Sequence, residues 1–297
     1  MTSVIEVMNV SKEFEKKQVL SNVSFKVQPG EIIGLIGQNG VGKSTLIKLL
    51  LGLTQPSSGQ ITVFGTHPTD KAIKDHVGVM FQDSFGISRI KGNELIKLVC
   101  SYYSHPLSFK NMVALADLGN DLTTMVSKLS GGQRRKLNFA LAMAGNPDLL
   151  FLDEPTAGMD TNSRYDFWQQ VQSLAKSGKT IIVTSHYLAE IEDVATRILF
   201  LKDHHFIYDG ALNELQKEFT RIIVEFDSDL SESELMKQLP SGELDSHLQD
   251  HYVFLTDDED QLLTELSPQM ARVKNVRVTQ RSLDQIFREV TKGVEVQ

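Results

Sequence analysis

The sequence predicts an α/β protein. A mostly parallel sheet carries a phosphate-binding loop, with an antiparallel β layer and a helical subdomain beside it and a small α+β domain at the C-terminal end. Three features predict it. First, Gly37-Gln38-Asn39-Gly40-Val41-Gly42-Lys43-Ser44-Thr45 fits the pattern G-x-x-x-x-G-K-[ST], with an apolar stretch before it and a helix-forming stretch after it. Second, apolar runs at 149–152, 180–184 and 197–201 alternate with amphipathic segments, as parallel strands covered on both faces do. Third, the chain changes character near Gly210 and turns acidic, as in Asp257-Asp258-Glu259-Asp260.

In chain order, residues 4–10, 19–27 and 60–65 read as strands of the antiparallel layer, the second ending at the turn Gln28-Pro29-Gly30. Residues 31–36 read as a buried strand and 45–51 as the helix after the Gly-rich loop. Residues 77–81 form a short apolar strand that ends at Gln82. From Asn93 to about Met125 the pattern is helical, interrupted by a loop over 101–109. Leu95, Leu98 and Val99 share one face there, as do Met112, Leu115 and Ala116. A second helical run covers 130–144.

Strands at 149–152 and 180–184 are then separated by a helix over 164–176, with Phe167, Trp168, Val171 and Leu174 inward. A helix over 187–195 leads to 197–201, the last strand of the series. His204-His205 reads as a turn between strands, without the cysteine or carboxylate spacing of a metal site. Beyond it come strand 221–226, helix 231–239, strands 243–247 and 252–255, helix 258–266, strand 273–279 and helix 282–290. The first six follow the β-α-β-β-α-β order of a ferredoxin-like sandwich. The tail from Thr291 is expected to fray.

The 297 residues are 41% hydrophobic and 23% charged, with a formal net charge of -8, so there is length for one large domain and a small one. A net negative chain lacks the basic footprint of proteins that bind nucleic acid. No window approaches the roughly 20 apolar residues of a membrane-spanning helix. The opening Met1-Thr2-Ser3-Val4-Ile5-Glu6 lacks the basic and apolar regions of a secretory signal. The single cysteine, Cys100, excludes an internal disulfide, fits a reducing cytosol and reads as a buried core thiol.

The chemistry starts at the Gly-rich loop. Its glycines let backbone N–H groups turn inward as a nest for anions. Lys43 supplies charge for the β- and γ-phosphates, Ser44 a hydroxyl for Mg²⁺, and the following helix its positive end. Leu149-Leu150-Phe151-Leu152-Asp153-Glu154 places two carboxylates at the C-terminal end of a strand, where ligands sit in open α/β sheets. Asp153 is placed to hold Mg²⁺ and Glu154 to polarise an attacking water. Taken alone, such a pair also fits a strand cap. Leu129-Ser130-Gly131-Gly132-Gln133 opens a helix and offers a second anion cradle. One chain rarely needs two γ-phosphate cradles, and one solution is that the second serves a partner subunit.

With these motifs in this order, residues 3–215 resemble the ATP-binding subunit of ABC transporters. Gly37–Thr45 looks like Walker A, Leu129–Gln133 like the LSGGQ signature and Leu149–Glu154 like Walker B with its catalytic glutamate. The resemblance implies that Gln82 is the Q-loop glutamine, a contact of Mg²⁺. It implies that Ala157-Gly158-Met159-Asp160 is the D-loop, His186 the switch histidine and Phe14 the aromatic that stacks on adenine. Phe14 stands where Tyr is commoner, Lys136 where Arg is usual and Thr161 where Pro is frequent.

The resemblance further implies an ATP- and Mg²⁺-dependent ATPase, with residues 1–215 as the nucleotide-binding domain and a helical subdomain at about 88–145. Two ATPs would be held between two copies stacked head to tail, or between this chain and a paralogous subunit. Lys43, Ser44, Gln82, Asp153, Glu154 and His186 of one copy would face Ser130, Gly131, Gly132 and Gln133 of the other. The pore would be a separate transmembrane permease, with this chain peripheral at the cytoplasmic face of the membrane. Around Gln82, Phe85, Ile87 and Ile90 either meet that permease or pack within the helical subdomain.

Residues 216–297 form an accessory domain, for dimerisation or regulation or with no ligand of its own. Its ending, Arg281-Ser282-Leu283-Asp284-Gln285-Ile286-Phe287, resembles that of ATPases paired with export-type membrane subunits for drugs, peptides or polysaccharides. The alternative is a soluble ATPase of the same class acting on nucleic acid or ribosomes. The single cassette and the lack of a heptad run or basic tail weigh against it.

Overall fold

The computed structural model describes residues 3–15, 17–82, 89–219, 222–279 and 282–292. Phe85, Ile87 and Arg281, singled out above, lie outside the described residues. The chain divides into two compact units, Met1–Ala211 and Leu212–Gln297.

The first unit opens with β1 (Ile5–Phe14) and β2 (Lys17–Val27), then β3 (Ile32–Gly37), α1 (Lys43–Leu50), β4 (Ser58–Val63) and β5 (Val77–Met80). Helices α2 (Gly92–Cys100), α3 (Phe109–Ala116) and α4 (Gly131–Ala142) follow. Then come β6 (Leu149–Asp153), α5 (Thr161–Lys176), β7 (Thr180–Thr184), α6 (Leu188–Val194), β8 (Arg197–Lys202) and β9 (His205–Ala211).

The antiparallel layer runs β2-β1-β4, with Leu20, Val23, Phe25 and Val27 of β2 alternating inward. The larger sheet runs β5-β6-β7-β3-β8-β9, parallel except for the β8–β9 pair. Its central strands have apolar interiors: Leu149 to Leu152 are fully buried, and every residue of β7, including Thr180 and Thr184 at its ends, is buried. Such strands suit a sheet covered on both faces. Because β5, β6, β7 and β3 are parallel neighbours, their C-terminal ends share one edge of the sheet. That edge receives Gln82, Asp153 with Glu154, Ser185 with His186, and the Gly-rich loop.

Two sequence expectations need correcting in this unit. Residues 197–201 are not the last strand, because β9 folds back on β8 through Asp203 (φ 46°) and His204 (φ 72°). Two successive positive φ values match the twist of a two-residue hairpin. The helical pattern also stops short of Met125. Asp117 ends α3 in the left-handed region (φ 45°) and Gly119 (φ 50°) follows, so the chain continues as short 3₁₀ turns at Gly119–Thr123 and Val126–Lys128.

The helical subdomain has its own core, including Leu95, Ile96, Met112, Leu137 and Leu141. Ile90 packs against that core, the second of the two alternatives for it. Cys100 is half-buried at the rim rather than buried, and burial still pushes its thiol pKa up. In α5, Phe167, Trp168 and Val171 are buried, and the Phe167 ring packs edge-on against Phe139 at 4.9 Å. Among the described residues, no helix is long and apolar enough to cross a membrane.

The second unit opens with a helix that the sequence reading did not anticipate, α7 (Leu212–Phe219), whose Leu215 is fully buried. It continues with β10 (Ile222–Ser228), α8 (Glu232–Gln238), β11 (Gly242–Leu248), β12 (His251–Thr256), α9 (Glu259–Leu266), β13 (Val273–Thr279) and α10 (Leu283–Lys292). The four strands form an antiparallel sheet in the order β11-β12-β10-β13. Val224 and Phe226 of β10 alternate onto the same core as Tyr252 and Phe254 of β12, against Leu235, Leu262 and Leu266 from the helices. β11 is an edge strand with an irregular register between Leu244 and Ser246, which explains its weak alternation in the sequence. The last helix reaches Lys292, one residue past the point where fraying was expected.

Candidate functional site

The Gly-rich loop leaves β3 at Gly37 and enters α1 at Lys43. Gly42, the residue before α1, has φ 123° and supplies no side-chain cap. A side chain there is excluded twice over. The φ value is costly for any L-residue, and a Cβ would stand 2.7 Å from the Val19 carbonyl oxygen. The first N–H groups of α1 have no intrahelical partners, so they are open to an anion. α1 is held by its inner face, Leu46, Ile47, Leu49 and Leu50, all buried. The loop is therefore anchored from both ends.

Lys43 Nζ donates to the carbonyl oxygens of Gly37 at 2.6 Å and Gln38 at 3.0 Å. Burial lowers its pKa, and the charges of Glu154 and Asp153 oppose that shift.

Asp153 and Glu154 emerge at the end of β6. The β6–β7 register sets Asp153 against Thr184, whose hydroxyl donates to Asp153 Oδ1 at 2.6 Å. The same hydroxyl and the Thr184 carbonyl each accept from the Glu154 backbone N–H at 3.2 Å. Glu154 is buried and adopts φ 51°, a conformation that costs a glutamate about 1–3 kcal/mol. Its Oε2 accepts from the His186 backbone N–H at 3.0 Å, and its Oε1 lies 3.4 Å from His186 Nε2. Burial raises the Glu154 pKa, while the His186 N–H, the His186 and Lys43 charges pull it back and Asp153 adds to the rise. A raised pKa brings a carboxylate toward the range of a general base.

These residues share one cleft, lined by Asn39, Gly40, Gly42, Lys43, Ser44, Thr45, Gln82, Asp153, Glu154 and His186. Val41 is not among them; it is buried in the core, which explains an apolar residue inside a polar loop. Gly37 stands behind the cleft as an acceptor for Lys43. The Ser44 hydroxyl, the Gln82 amide and the Asp153 carboxylate form an all-oxygen donor set that suits Mg²⁺.

Phe14 lies apart from the cleft at the end of β1, 47% exposed, with Lys12 Nζ 4.6 Å above its ring centre. Lys12 also donates to the Gln55 carbonyl oxygen at 2.7 Å.

Ser130, Gly131, Gly132 and Gln133 also stand outside the cleft, at the N-terminus of α4. Ser130 Oγ accepts from the Gln133 backbone N–H at 3.2 Å and Gln133 Oε1 accepts from the Ser130 N–H at 2.9 Å, a capping box. As an acceptor in that box, the Ser130 hydroxyl keeps its proton for an outside acceptor. The Gln133 side chain is engaged within its own chain, donating to Asp121 Oδ2 at 2.6 Å. The chain thus carries two anion-binding features that do not line one cleft.

Sequence reasoning missed Thr184, Asp121, Lys12 and the buried Arg135. Arg135 Nη1 donates to the Phe81 carbonyl oxygen at 3.1 Å and so ties α4 to the chain beside Gln82. Thr184 was findable in principle: it is one residue before Ser185-His186, at the end of the strand that pairs with β6. Asp121, Arg135 and the Lys12–Gln55 bond act across distances that no local pattern encodes.

The family model described as ABC transporter matches residues 20–157. The chain is 36% identical over 219 residues to the Nod factor export ATP-binding protein I of Burkholderia lata, covering 71% of this chain and 72% of that protein. It is similar in structure to an ATP-binding subunit of an ABC transporter, at TM-score 0.67 and 25% identity, covering 73% of this chain and 93% of the other. It is also similar to a dimeric ATP-binding cassette described as a post-hydrolysis state bound to ADP and Pi. That match has TM-score 0.63 and 25% identity, over 70% of this chain and 98% of the other.

Proposed function

This chain belongs to the ATP-binding subunits of ABC transporters, and from that membership we propose that it is one half of a head-to-tail ATPase pair that drives export through a separate permease. ATP binding and hydrolysis belong to the family. The observation that carries the pairing is the separation described above: a cleft with Lys43, Ser44, Asp153 and Glu154, and a capped helix at Ser130 outside it. A second copy, or a paralogous subunit, supplies its own Ser130–Gln133 turn to the γ-phosphate. The cassette corresponds to the first unit, Met1–Ala211, which ends four residues before the expected boundary at 215, with the helical subdomain at about 88–145, and the second unit, Leu212–Gln297, is an accessory domain of ferredoxin-like order.

In the bound state the α1 N-terminus and Lys43 hold the phosphates. Ser44, Gln82 and Asp153 would hold Mg²⁺, which would supply positive charge against the phosphates. Thr184 keeps Asp153 oriented, Glu154 takes a proton from the attacking water, and His186 steadies Glu154 and reaches toward the γ-phosphate. Phosphoryl transfer asks for this kind of positioning and charge compensation.

Beside Gln82, an apolar groove lined by Leu50, Leu51, Leu53, Ile73, Val79 and Phe81 offers a surface for the permease, with Leu53 63% exposed. The chain then sits peripherally at the cytoplasmic face of the membrane. Export, of a drug, peptide or polysaccharide-like substrate, is supported by the similarity to a Nod factor export ATP-binding protein and by the ending at 281–290. The relatives reported are transport subunits, so the nucleic-acid or ribosome alternative gains no support.

Purification of the chain from solubilised membranes tests the reading. A co-purifying multispanning protein and vanadate-sensitive ATPase activity are expected. Recovery in the soluble fraction with ribosomes or nucleic acid would contradict it.

The adenine contact gives a separate expectation. Aromatic stacking contributes about 0.5–1.5 kcal/mol, so Phe14→Ala should raise the ATP KM roughly 2- to 13-fold with kcat little changed. Phe14→Tyr, which keeps the π-face, should behave as wild type. Steady-state kinetics at several ATP concentrations checks both.

A further inference from the structure

Three segments converge on Glu190 of α6: the chain after β6, the chain after β7, and α5. Glu190 Oε2 accepts from the Thr156 hydroxyl at 2.7 Å and from the Ser185 hydroxyl at 3.4 Å. Its Oε1 is buried without a hydrogen-bond partner among the described residues and lies 3.7 Å from Arg164 Nη1 of α5. Arg164 Nε donates to the Met159 carbonyl oxygen at 3.1 Å, and its guanidinium covers the Tyr187 ring at 4.2 Å. Ser185 Oγ in turn accepts from the Tyr187 backbone N–H at 3.0 Å. Thr156 and Ser185 are both buried.

The positions of these contacts matter more than their number. Thr156 stands two residues after Glu154, and Ser185 one residue before His186. Pro155 has no polar side chain, so Thr156 is the first side-chain anchor beyond Glu154. Glu154 itself holds φ 51°, which persists only where surrounding contacts over-determine it. On its N-terminal side that support is Thr184; on its C-terminal side it is the Thr156–Glu190 bond. The Glu190 side chain is 13% exposed with Oε1 buried, and a carboxylate drawn that far from water is costly unless it is bonded or paired, so a group that served only to fill space here would be better apolar.

We propose that Glu190 is a positioning residue for ATP hydrolysis: through Thr156 and Ser185 it holds the backbones of Glu154 and His186 in their working relation. The assignment rests on the catalytic roles given to Glu154 and His186 above. Glu190 is not among the residues that line the cleft. Arg164 braces the same carboxylate and ties it to Met159, in the segment beside which Gly132 of the signature turn lies.

The test measures ATPase kinetics, nucleotide affinity and thermal melting of the full chain in five forms: Thr156→Val, Thr156→Ser, Glu190→Gln, the Thr156→Val/Glu190→Gln double variant, and Glu154→Gln. Small displacements at a reacting centre cost up to about a hundredfold, so Thr156→Val should lower kcat by roughly 10- to 100-fold while the ATP KM stays within about twofold. Thr156→Ser, which keeps the hydroxyl, should restore most of the rate. Glu190→Gln keeps an oxygen that can accept from Thr156 and should lower kcat less than Thr156→Val, and the double variant should lose little beyond Thr156→Val alone, because both changes act on one bond.

Wild-type kcat in Thr156→Val overturns the proposal. So does a Thr156→Ser variant as slow as Thr156→Val, an additive double variant, or a rate loss matched by lost affinity or melting temperature. An active Glu154→Gln chain would instead overturn the parent reading. An inactive Glu154→Gln with an unaffected Thr156→Val defeats the Glu190 assignment alone.

Discussion

Glu154→Gln is expected to abolish nearly all ATP hydrolysis while leaving ATP binding intact. General base catalysis contributes about 10²- to 10⁴-fold, and the loss of kcat should fall in that range. The amide keeps the shape of the side chain and can still accept from the His186 N–H, so the cleft should not collapse. The pH dependence carries the same signature. Burial raises the Glu154 pKa, and a base works only when ionised. Wild-type kcat should therefore fall on acidification at a higher pH than an exposed glutamate would give.

The sign for stability follows from linkage. With a raised native pKa, the folded state binds a proton more readily than the unfolded one, so this group's contribution weakens as pH rises through that value. At neutral pH Glu154 is thus a net cost to the fold, and Glu154→Gln should melt slightly higher than wild type. A scan of melting temperature against pH, run on both chains, checks this.

Lys43→Ala is expected to fail one step earlier, at binding. A hydrogen bond to a charged group contributes about 1.5–3 kcal/mol, which corresponds to roughly 10- to 150-fold in nucleotide affinity. The fold should survive, because α1 is held by Leu46, Ile47, Leu49 and Leu50 and not by the ammonium. The two bonds from Lys43 to Gly37 and Gln38 are lost, which loosens the loop but not the sheet. Titration with a fluorescent ATP analogue separates the two variants: Glu154→Gln binds as wild type and Lys43→Ala does not. Unchanged binding in Lys43→Ala would remove Lys43 from the phosphate site.

The strands of the parallel sheet were legible because they are continuous apolar runs, and the Gly-rich loop because its residue types are dictated by φ and by backbone approach, as at Gly42. The β10–β13 unit was legible through alternation at Val224, Phe226, Tyr252 and Phe254. The order β5-β6-β7-β3 was not legible, because neighbours in a parallel sheet are chosen by how crossover helices pack. Yet that order is what brings Gln82, Asp153, Glu154 and His186 to one edge. Thr184 and Glu190 were missed for the same reason, since their partners lie on other strands and loops. Ser130 and Gln133 were singled out for an anion, but their S-x-x-Q spacing is also a capping box, and the Gln133 side chain is used within its own chain. The β8–β9 hairpin was only half legible: a turn was expected at His204-His205, but its left-handed positions are Asp203 and His204.

The central claim is that the ATP cleft of one copy is completed by the Ser130–Gln133 turn of another. Gly131 is the position at which to test it. It is exposed at the first turn of α4, and a Cβ there meets nothing closer than the Gly158 carbonyl oxygen at 3.8 Å. Gly131→Asp should therefore leave its own chain folded, and an acidic residue in the first turn suits the helix dipole. It should nevertheless repel the γ-phosphate of an ATP held by the other copy. The direct measurement is sedimentation velocity of Glu154→Gln, with and without Gly131→Asp, in MgATP. The expected result is a dimer for the single variant and a monomer that still binds ATP for the double variant. An ATP-dependent dimer that persists in the double variant would contradict the shared site.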